Sequence, residues 1–440
     1  MERTLICDLG SLVGKEARLQ GWVQTIRDQK RMQFIILRDH TGLAQVVLEK
    51  SHANTSLNDS VSLLSRESAV TITGRVVVAP QVKLGGIEVQ LDGLRVDSAA
   101  ETPLPLDITG GTDPNLDLRL DWRFLDLRRP ENLLVFKVQT TVAKAMREYW
   151  LHEGFTEIHS PKLMGSASES GAELFRLEYF GRYAYLAQSP QFYKQMAMAA
   201  GFDRVFEIGP VFRAEPSFTA RHATEFTSVD MEISWIESHE DVMSFEERWL
   251  RYVAQQVRDM HAEEIARVFH TEVVVPALPF PRIKMKDAQA MLKQRGWAPA
   301  AERNGDLDPQ GERMVGEYAL QEFGHEFIFV TDYPIAVRPF YHMRHADDPS
   351  TTRSFDLLWK GLEITTGAQR EHRYDILAKQ VMEKGLTQEG IQFYLDFFRF
   401  GCPPHGGLGL GLTRTLMAML GIPNLREVTF LFRGPTRLTP

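Results

Sequence analysis

Val211-Phe212-Arg213-Ala214-Glu215 runs into a polar loop holding Arg221 and His222, and Glu225-Phe226-Thr227-Ser228-Val229-Asp230-Met231-Glu232 follows it. Both flanks alternate apolar with polar side chains, the period of a strand with one buried face. Two such runs joined by a loop read as an antiparallel hairpin. Arginine offers a planar fork that suits phosphate oxygens. The bland alternative is a hairpin laced with salt bridges.

Upstream, apolar residues at helical spacing run from Leu133 to Leu151 and give way to Gly154-Phe155-Thr156-Glu157-Ile158-His159-Ser160-Pro161-Lys162. A proline at such a junction, taken alone, only shapes the chain. Downstream, Gly407-Leu408-Gly409-Leu410-Gly411-Leu412-Thr413-Arg414 leads into an apolar helical run over 415–420. Glycines at alternate strand positions let another chain approach closely. Between these segments strands and helices mix without a βαβ rhythm, so the fold class is α+β on an antiparallel sheet flanked by helices. No early G-x-x-x-x-G-K-[ST] or strand-linked G-x-G-x-x-G occurs, so a P-loop or Rossmann site is not supported.

Residues 101–132 are rich in Pro, Asp and Gly and read as a linker or hinge between domains at 1–100 and 133–440. Within 1–100, strand patterns occur at 16–24, 33–39, 43–48, 69–73 and 87–91, with a polar helical stretch near 57–66. Five strands with a helix after the third is the order of an OB-fold barrel.

The chain has 440 residues, 43% hydrophobic and 25% charged, which places it among globular proteins rather than disordered ones. It lacks an apolar run of the ~20 residues needed to cross a bilayer. The first residues show no basic stretch followed by an apolar core, so no secretory signal is expected. Cys7 and Cys402 fit no C-x-x-C spacing. A reduced cytoplasmic setting is the expectation. Net charge is −8, yet residues 1–100 carry 12 Lys and Arg against 11 Asp and Glu, leaving 38 against 47 for the remainder. Local rather than total charge governs an encounter with phosphates, so a nucleic-acid partner for the front end is not excluded.

Taken in order, the three segments resemble motifs 1 (about 154–162), 2 (about 211–232) and 3 (about 407–420) of the class II aminoacyl-tRNA synthetases. Further strings resemble the aspartyl branch: Gln188-Ser189-Pro190-Gln191, Lys194-Gln195, Ser354-Phe355-Asp356, Gly361-Leu362-Glu363, Thr366-Gly367-Ala368-Gln369-Arg370 and the closing Arg437-Leu438-Thr439-Pro440. Too few residues separate motif 2 from Arg353 for the inserted domain of bacterial relatives, so the resemblance is to the archaeal or eukaryotic type.

The resemblance implies ATP, L-aspartate and tRNA(Asp), or tRNA(Asn) as well, as partners, Mg²⁺ as cofactor, and a homodimer. It puts Arg213 and Arg414 at the reacting phosphates as the catalytic pair. Glu215, Arg221, His222, Phe226, Glu363 and Gly411 complete the ATP site, with adenine between Phe226 and Arg414. Glu169, Gln191, Lys194, Asp230, Thr366 and Arg370 fall to aspartate, Lys194 and Arg370 as cations for its side-chain carboxylate. Asp356, Glu363 and Thr366 fall to the metal, whose hardness favours oxygen ligands. On the barrel, Gln24, Arg27, Phe34, Gln45 and Lys83 fall to the tRNA anticodon. Two departures stand out: Thr366 where many relatives have serine, and Thr413 where the residue before the motif 3 arginine is usually acidic. The rivals are an asparaginyl enzyme of the same fold and a non-catalytic paralogue that binds tRNA or an amino acid.

Overall fold

The structure, a computed structural model, describes residues 1–112, 114–165, 174–299 and 305–440. They form two compact units, Met1–Pro130 and Glu131–Pro440.

The first unit contains β1 (Glu16–Asp28), β2 (Met32–Arg38), β3 (Leu43–Glu49), α1 (Thr55–Ser62), β4 (Ala69–Val78) and β5 (Ile87–Ser98). The strands close into a barrel in the order β1-β2-β3-β5-β4. With α1 between the third and fourth strands, this is the OB-fold arrangement. Alternate residues such as Leu19, Val23, Ile35, Leu37, Val46, Ile72 and Val89 fill its interior. Residues 101–130, expected as a linker, carry α2 (Leu116–Asp121) and α3 (Arg123–Asp126). Leu106, Ile108 and Leu125 bury against one another there. Asp126 is clamped by Arg123 at 2.5 Å and Arg119 at 2.9 Å. The Pro and Asp content hid this small core, because its leucines fit no regular period.

The second unit opens with α4 (Pro130–His152) and β6 (Thr156–Glu157). A small sheet of β7 (Leu163–Met164), β8 (Arg176–Tyr179) and β9 (Arg182–Leu186) precedes α5 (Gln191–Ala199). The hairpin is β10 (Arg204–Phe212) and β11 (Glu225–Ser234), followed by α6 (His239–Phe269). Next come β12 (Arg282–Lys284), α7 (Met285–Gln294), α8 (Pro309–Phe323), β13 (Phe327–Thr331), β14 (Ser354–Trp359) and β15 (Leu362–Gln369). The chain finishes with α9 (Tyr374–Glu383), α10 (Gln388–Leu395), β16 (His405–Gly411) and α11 (Leu412–Leu420). Eight strands form one sheet, β12-β13-β14-β15-β16-β11-β10-β6. Its six central strands are antiparallel as expected, while β6 and β12 add a parallel pairing at each edge.

α6 starts at a capping box made by Ser238 and Asp241 and packs against β15 and β16. Trp150 of α4 stacks on Trp249 of α6, ring centroids 4.5 Å apart. Two adjacent buried carboxylates of α6, Glu246 and Glu247, break this apolar pattern. Glu246 is fully buried, and neither of its carboxylate oxygens has a hydrogen-bond partner. Burial, with Glu247 and Asp356 nearby, lifts its pKa from 4.5 to about 8, although Thr365 works the other way. The folded chain therefore keeps this proton at pH values where the unfolded chain has released it. Stability must fall as pH rises from 4.5 towards 8. One pKa unit is worth about 1.4 kcal/mol, so the loss amounts to several kcal/mol. Glu246→Leu is expected to raise the melting temperature at pH 8.5 and to change it little at pH 5. Equal shifts at both pH values would show that the carboxyl group stays ionised.

Candidate functional site

The register of the sheet assembles the site. One row of directly opposed residues crosses five strands: Glu207 on β10, Asp230 on β11, Gly409 on β16, Thr366 on β15 and Asp356 on β14. The next row on that face holds Glu232, Gly407 and Ala368. The alternating glycines now have a steric reason. A Cβ on Gly407 would lie 2.2 Å from Glu232 Oε2, and one on Gly409 would lie 3.0 Å from Asp230 Oδ1. They clear space for two acidic side chains.

α5 supplies Lys194, which is fully buried and donates to Asp230 Oδ1 at 2.9 Å and to the Leu408 carbonyl at 2.8 Å. It also lies 3.5 Å from Glu232. Arg370, just past β15, donates through Nε to Glu232 Oε1 at 3.0 Å and through Nη2 to the Gly407 carbonyl at 2.9 Å. Two cations thus face two carboxylates. The sequence assigned both cations to the substrate's side-chain carboxylate; β11 also brings Asp230 and Glu232 to them as partners within the chain. Arg370 lines the cavity above this group, whereas Lys194 lies behind Asp230 and does not.

That cavity, about 560 Å³, is lined by Gln191, Arg213, Glu215, Arg221, His222, Phe226, Asp230, Glu363, Thr366, Arg370, Gly411 and Arg414. The Arg213 guanidinium rests over the Phe226 ring at 5.2 Å and comes no nearer than 4.0 Å to Glu215. Arg414, in the first turn of α11, donates to the carbonyl and carboxylate of Glu363 at 3.2 and 3.3 Å. Arg221 is paired with Glu312 of α8 at 2.9 Å. Burial, then the charge of Arg414, lowers the His222 pKa, so near neutral pH its ring is uncharged.

Asp356 is buried and bound to Arg338 at 2.6 Å, and only Arg338 of the two lines the cavity. Burial and the charge of Glu363 push Asp356 up to about 6 despite Arg338. Burial also opposes the Glu363 charge, but Arg414 and the Thr366 hydroxyl outweigh it and hold that carboxyl below its ordinary value. Asp356 Oδ1 is buried without a hydrogen-bond partner. Two mutually repelling carboxylates beside a hydroxyl, one oxygen unsatisfied, are a donor set that a hard cation fits. Among the described residues no three His, Cys, Asp or Glu are grouped to hold a metal by themselves. Glu169 lies outside the described residues.

Glu232, Glu312 and Arg338 were not singled out in the sequence. Glu232 was legible as the end of the hairpin string, two residues from Asp230 and so on the same face. Arg338 and Glu312 carried no local signal, because their partners lie in distant segments.

On the barrel, Arg27, Phe34 and Val47 form one cross-strand row of β1, β2 and β3, and Thr25, Ile36 and Gln45 form the adjacent row. Phe34 is half-buried and points away from the core formed by Ile35 and Leu37. Gln24 lies at a bulge in β1, Gln45 donates to Glu88 at 2.9 Å, and Lys83 is exposed between β4 and β5. Phe34 and Gln45 thus share a face with Arg27.

Residues 115–433 match the family described as tRNA synthetases class II (D, K and N), and residues 17–97 match the OB-fold nucleic acid binding domain. The chain is 43% identical over 437 residues to the aspartate–tRNA(Asp/Asn) ligase of Aeropyrum pernix, covering 99% of this chain and 98% of that protein. It is 45% identical over 430 residues to the aspartate–tRNA(Asp) ligase of Pyrococcus abyssi, covering 98% and 97%. Among solved structures, the asparaginyl-tRNA synthetase from Pyrococcus horikoshii complexed with asparaginyl-adenylate matches with a TM-score of 0.90 at 33% identity, covering 100% of both chains. A putative aspartyl-tRNA synthetase from Leishmania major matches equally well, at 0.90 and 30% identity, covering 100% of this chain and 96% of that one. The fold alone does not separate the two amino acids, since enzymes named for either share it. No helix among the described residues is long and apolar enough to cross a membrane. By its motifs, its cavity and these matches, this chain belongs to the class II tRNA synthetases of the D, K and N group and is an aminoacyl-tRNA ligase.

Proposed function

We infer that the chain is an aspartate–tRNA ligase, joining L-aspartate to ATP as aspartyl-adenylate with release of diphosphate, then passing the aspartyl group to the 3′ end of tRNA(Asp). The observation that carries this is a single cavity lined by Arg213, Arg221 and Arg414 and also by Asp230 and Arg370, which Lys194 and Glu232 pair from behind, in a chain at least 40% identical to aspartate–tRNA ligases.

Little covalent work falls to the protein, so positioning and charge neutralisation dominate. Arg213 reaches the α-phosphate and Arg414 the terminal phosphates of a folded ATP. Adenine lies between Phe226 and Arg414, with Glu215 near its amino group. Arg221, held by Glu312, and His222 serve the remaining phosphate oxygens. Gln191 and Asp230 take the amino end of aspartate, and Arg370 its side-chain carboxylate, with Lys194 holding Asp230 in place. Glu169 belongs to a segment that closes over the substrate. Asp356, Glu363 and Thr366 hold Mg²⁺, which neutralises phosphate charge when bound. Thr413 leaves the first turn of α11 without an acidic side chain, which raises the ATP requirement.

The setting is the cytoplasm, and the assembly is a symmetric homodimer, the commonest kind, built on the segment around Pro161. Sedimentation is expected to show a dimer, and an active monomer at micromolar concentration would refute it. On the barrel, Gln24, Arg27, Phe34, Gln45 and Lys83 meet the anticodon. Stacking a base on an aromatic ring is worth roughly 1–3 kcal/mol, so Phe34→Ala is expected to weaken tRNA binding about 5- to 150-fold. It should leave tRNA-free ATP–diphosphate exchange unchanged; exchange that falls in parallel would place Phe34 elsewhere.

Aminoacylation of purified tRNAs tests the whole reading. Aspartate is expected on tRNA(Asp), and the same assay on tRNA(Asn) separates an enzyme of the Asp/Asn kind from one confined to tRNA(Asp). Failure to charge tRNA(Asp) with aspartate would overturn the assignment.

A further inference from the structure

Gln191 and Gln195 lie one turn apart on α5, buried yet uncharged. Gln191 lines the cavity and Gln195 does not. Behind Gln195 sits His405, the first residue of β16, also fully buried. We propose that His405 and Gln195 are positioning residues that orient the Gln191 amide so that its carbonyl oxygen, and not its NH₂ group, meets the α-ammonium of the amino acid. The proposal deepens the reading above and rests on its placement of the substrate's amino end at Gln191.

The order of donors and acceptors is forced from one end. The Pro403 carbonyl can only accept, and it lies 2.8 Å from His405 Nδ1, so Nδ1 carries the proton. In the neutral ring Nε2 is then an acceptor. It lies 3.0 Å from the Gln195 amide nitrogen, which donates to it. Gln195 must turn its oxygen the other way, where it accepts from Gln191 Nε2 at 2.9 Å and from the Tyr394 hydroxyl at 3.0 Å. The Gln191 nitrogen is thereby fixed against Gln195. Its carbonyl oxygen is left over, and no described residue takes it.

Burial, only partly offset by Glu232, holds His405 down to about 4, so the ring stays neutral and the chain of donors does not reverse near pH 7. An amide normally presents either end with equal ease. Here a reversed Gln191 would set its oxygen against the Gln195 oxygen and lose a bond inside a buried site. The fixed dipole matters because Asp230, the other acceptor at this end, is already shared with Lys194. A substrate lacking the ammonium would leave the Gln191 oxygen without a donor.

The test compares aspartate with succinate, which has both carboxylates but no α-amino group. Gln195→Met removes all three hydrogen bonds of the Gln195 amide at similar side-chain length. His405→Phe removes the acceptor together with the Nδ1–H donated to the Pro403 carbonyl, and keeps a ring against Phe398, which stacks on His405 at 6.1 Å. In exchange assays each variant is expected to raise the aspartate KM about tenfold, the scale of one neutral hydrogen bond. The ATP KM and the succinate inhibition constant should stay within about twofold. A general loosening of the site would move all three values, and that outcome, or an unchanged aspartate KM, overturns the proposal. Gln191→Leu separates the two layers. If it leaves the aspartate KM unchanged, the placement of the amino end is wrong. If it raises the KM while Gln195→Met and His405→Phe do not, only the relay fails. Histidine ¹⁵N spectra of the unmodified protein give a reading free of any folding defect. His405 is expected in the Nδ1-protonated form, and an Nε2-protonated ring would refute the scheme.

Discussion

Arg213→Ala will slow aspartate-dependent ATP–diphosphate exchange ~10²–10³-fold, the usual cost of losing one donor aimed at developing charge. The variant will remain folded. The Arg213 side chain is 45% exposed, and among the described residues its one ion pair is the marginal 4.0 Å approach to Glu215. An exposed pair of this kind contributes 0–1 kcal/mol at most. Its contact with Phe226 is a cation–π contact at an open site, worth about 0.5–1 kcal/mol. Neither is enough to unfold a domain of this size. Arg338 and Arg370 make the contrast: both are buried in ion pairs with Asp356 and Glu232, so truncating either would confound stability with function. Thermal melting run beside the exchange assay checks both halves of the expectation. Near-normal exchange by a folded Arg213→Ala protein would remove this residue from the reacting phosphates.

The second large effect concerns Lys194. Lys194→Met will weaken aspartate binding ~10²–10³-fold and leave ATP affinity nearly unchanged, because no phosphate contact falls to this side chain. The cause is charge balance. Lys194 and Arg370 offset Asp230 and Glu232, so removing the lysine leaves a net negative charge below the cavity. Breaking a buried pair by deleting one partner costs about 3–5 kcal/mol, because the other charge stays desolvated. Part of that cost appears as lower stability. The rest opposes the arrival of another carboxylate. Asparagine brings an amide and suffers less, so the preference for aspartate over asparagine will narrow. Isothermal titration of aspartate, asparagine and ATP reads all three effects. If aspartate affinity is unchanged, or ATP affinity falls with it, the quartet does not serve the amino-acid end.

The origin of that preference differs from what the sequence suggested. Lys194 and Arg370 were assigned to the substrate carboxylate alone because a sequence shows residue types and not the register that sets a strand opposite them. Asp230 and Glu232 were visible as alternate residues of one strand, but their position beside β16 was not. The alternating glycines were legible as a close approach, while the objects that Gly407 and Gly409 approach, two carboxylates of β11, needed the pairing of the strands. The OB-fold barrel was readable because its strands follow one another in sequence with clear alternation. The parallel strands β6 and β12 were not, being two and three residues long with no period to detect. Arg338, Glu312 and His405 escaped notice for one reason: each acts through partners that no local pattern connects to it.

One assay bears most directly on the functional assignment: ATP–diphosphate exchange by the purified chain with aspartate or asparagine as the only amino acid. An aspartate–tRNA ligase is expected to exchange with aspartate and to prefer it to asparagine ~10³-fold or more, since a site built around charge-assisted bonds rejects a ligand that leaves them poorly paired. Exchange driven by asparagine, or no exchange with either amino acid, would contradict it.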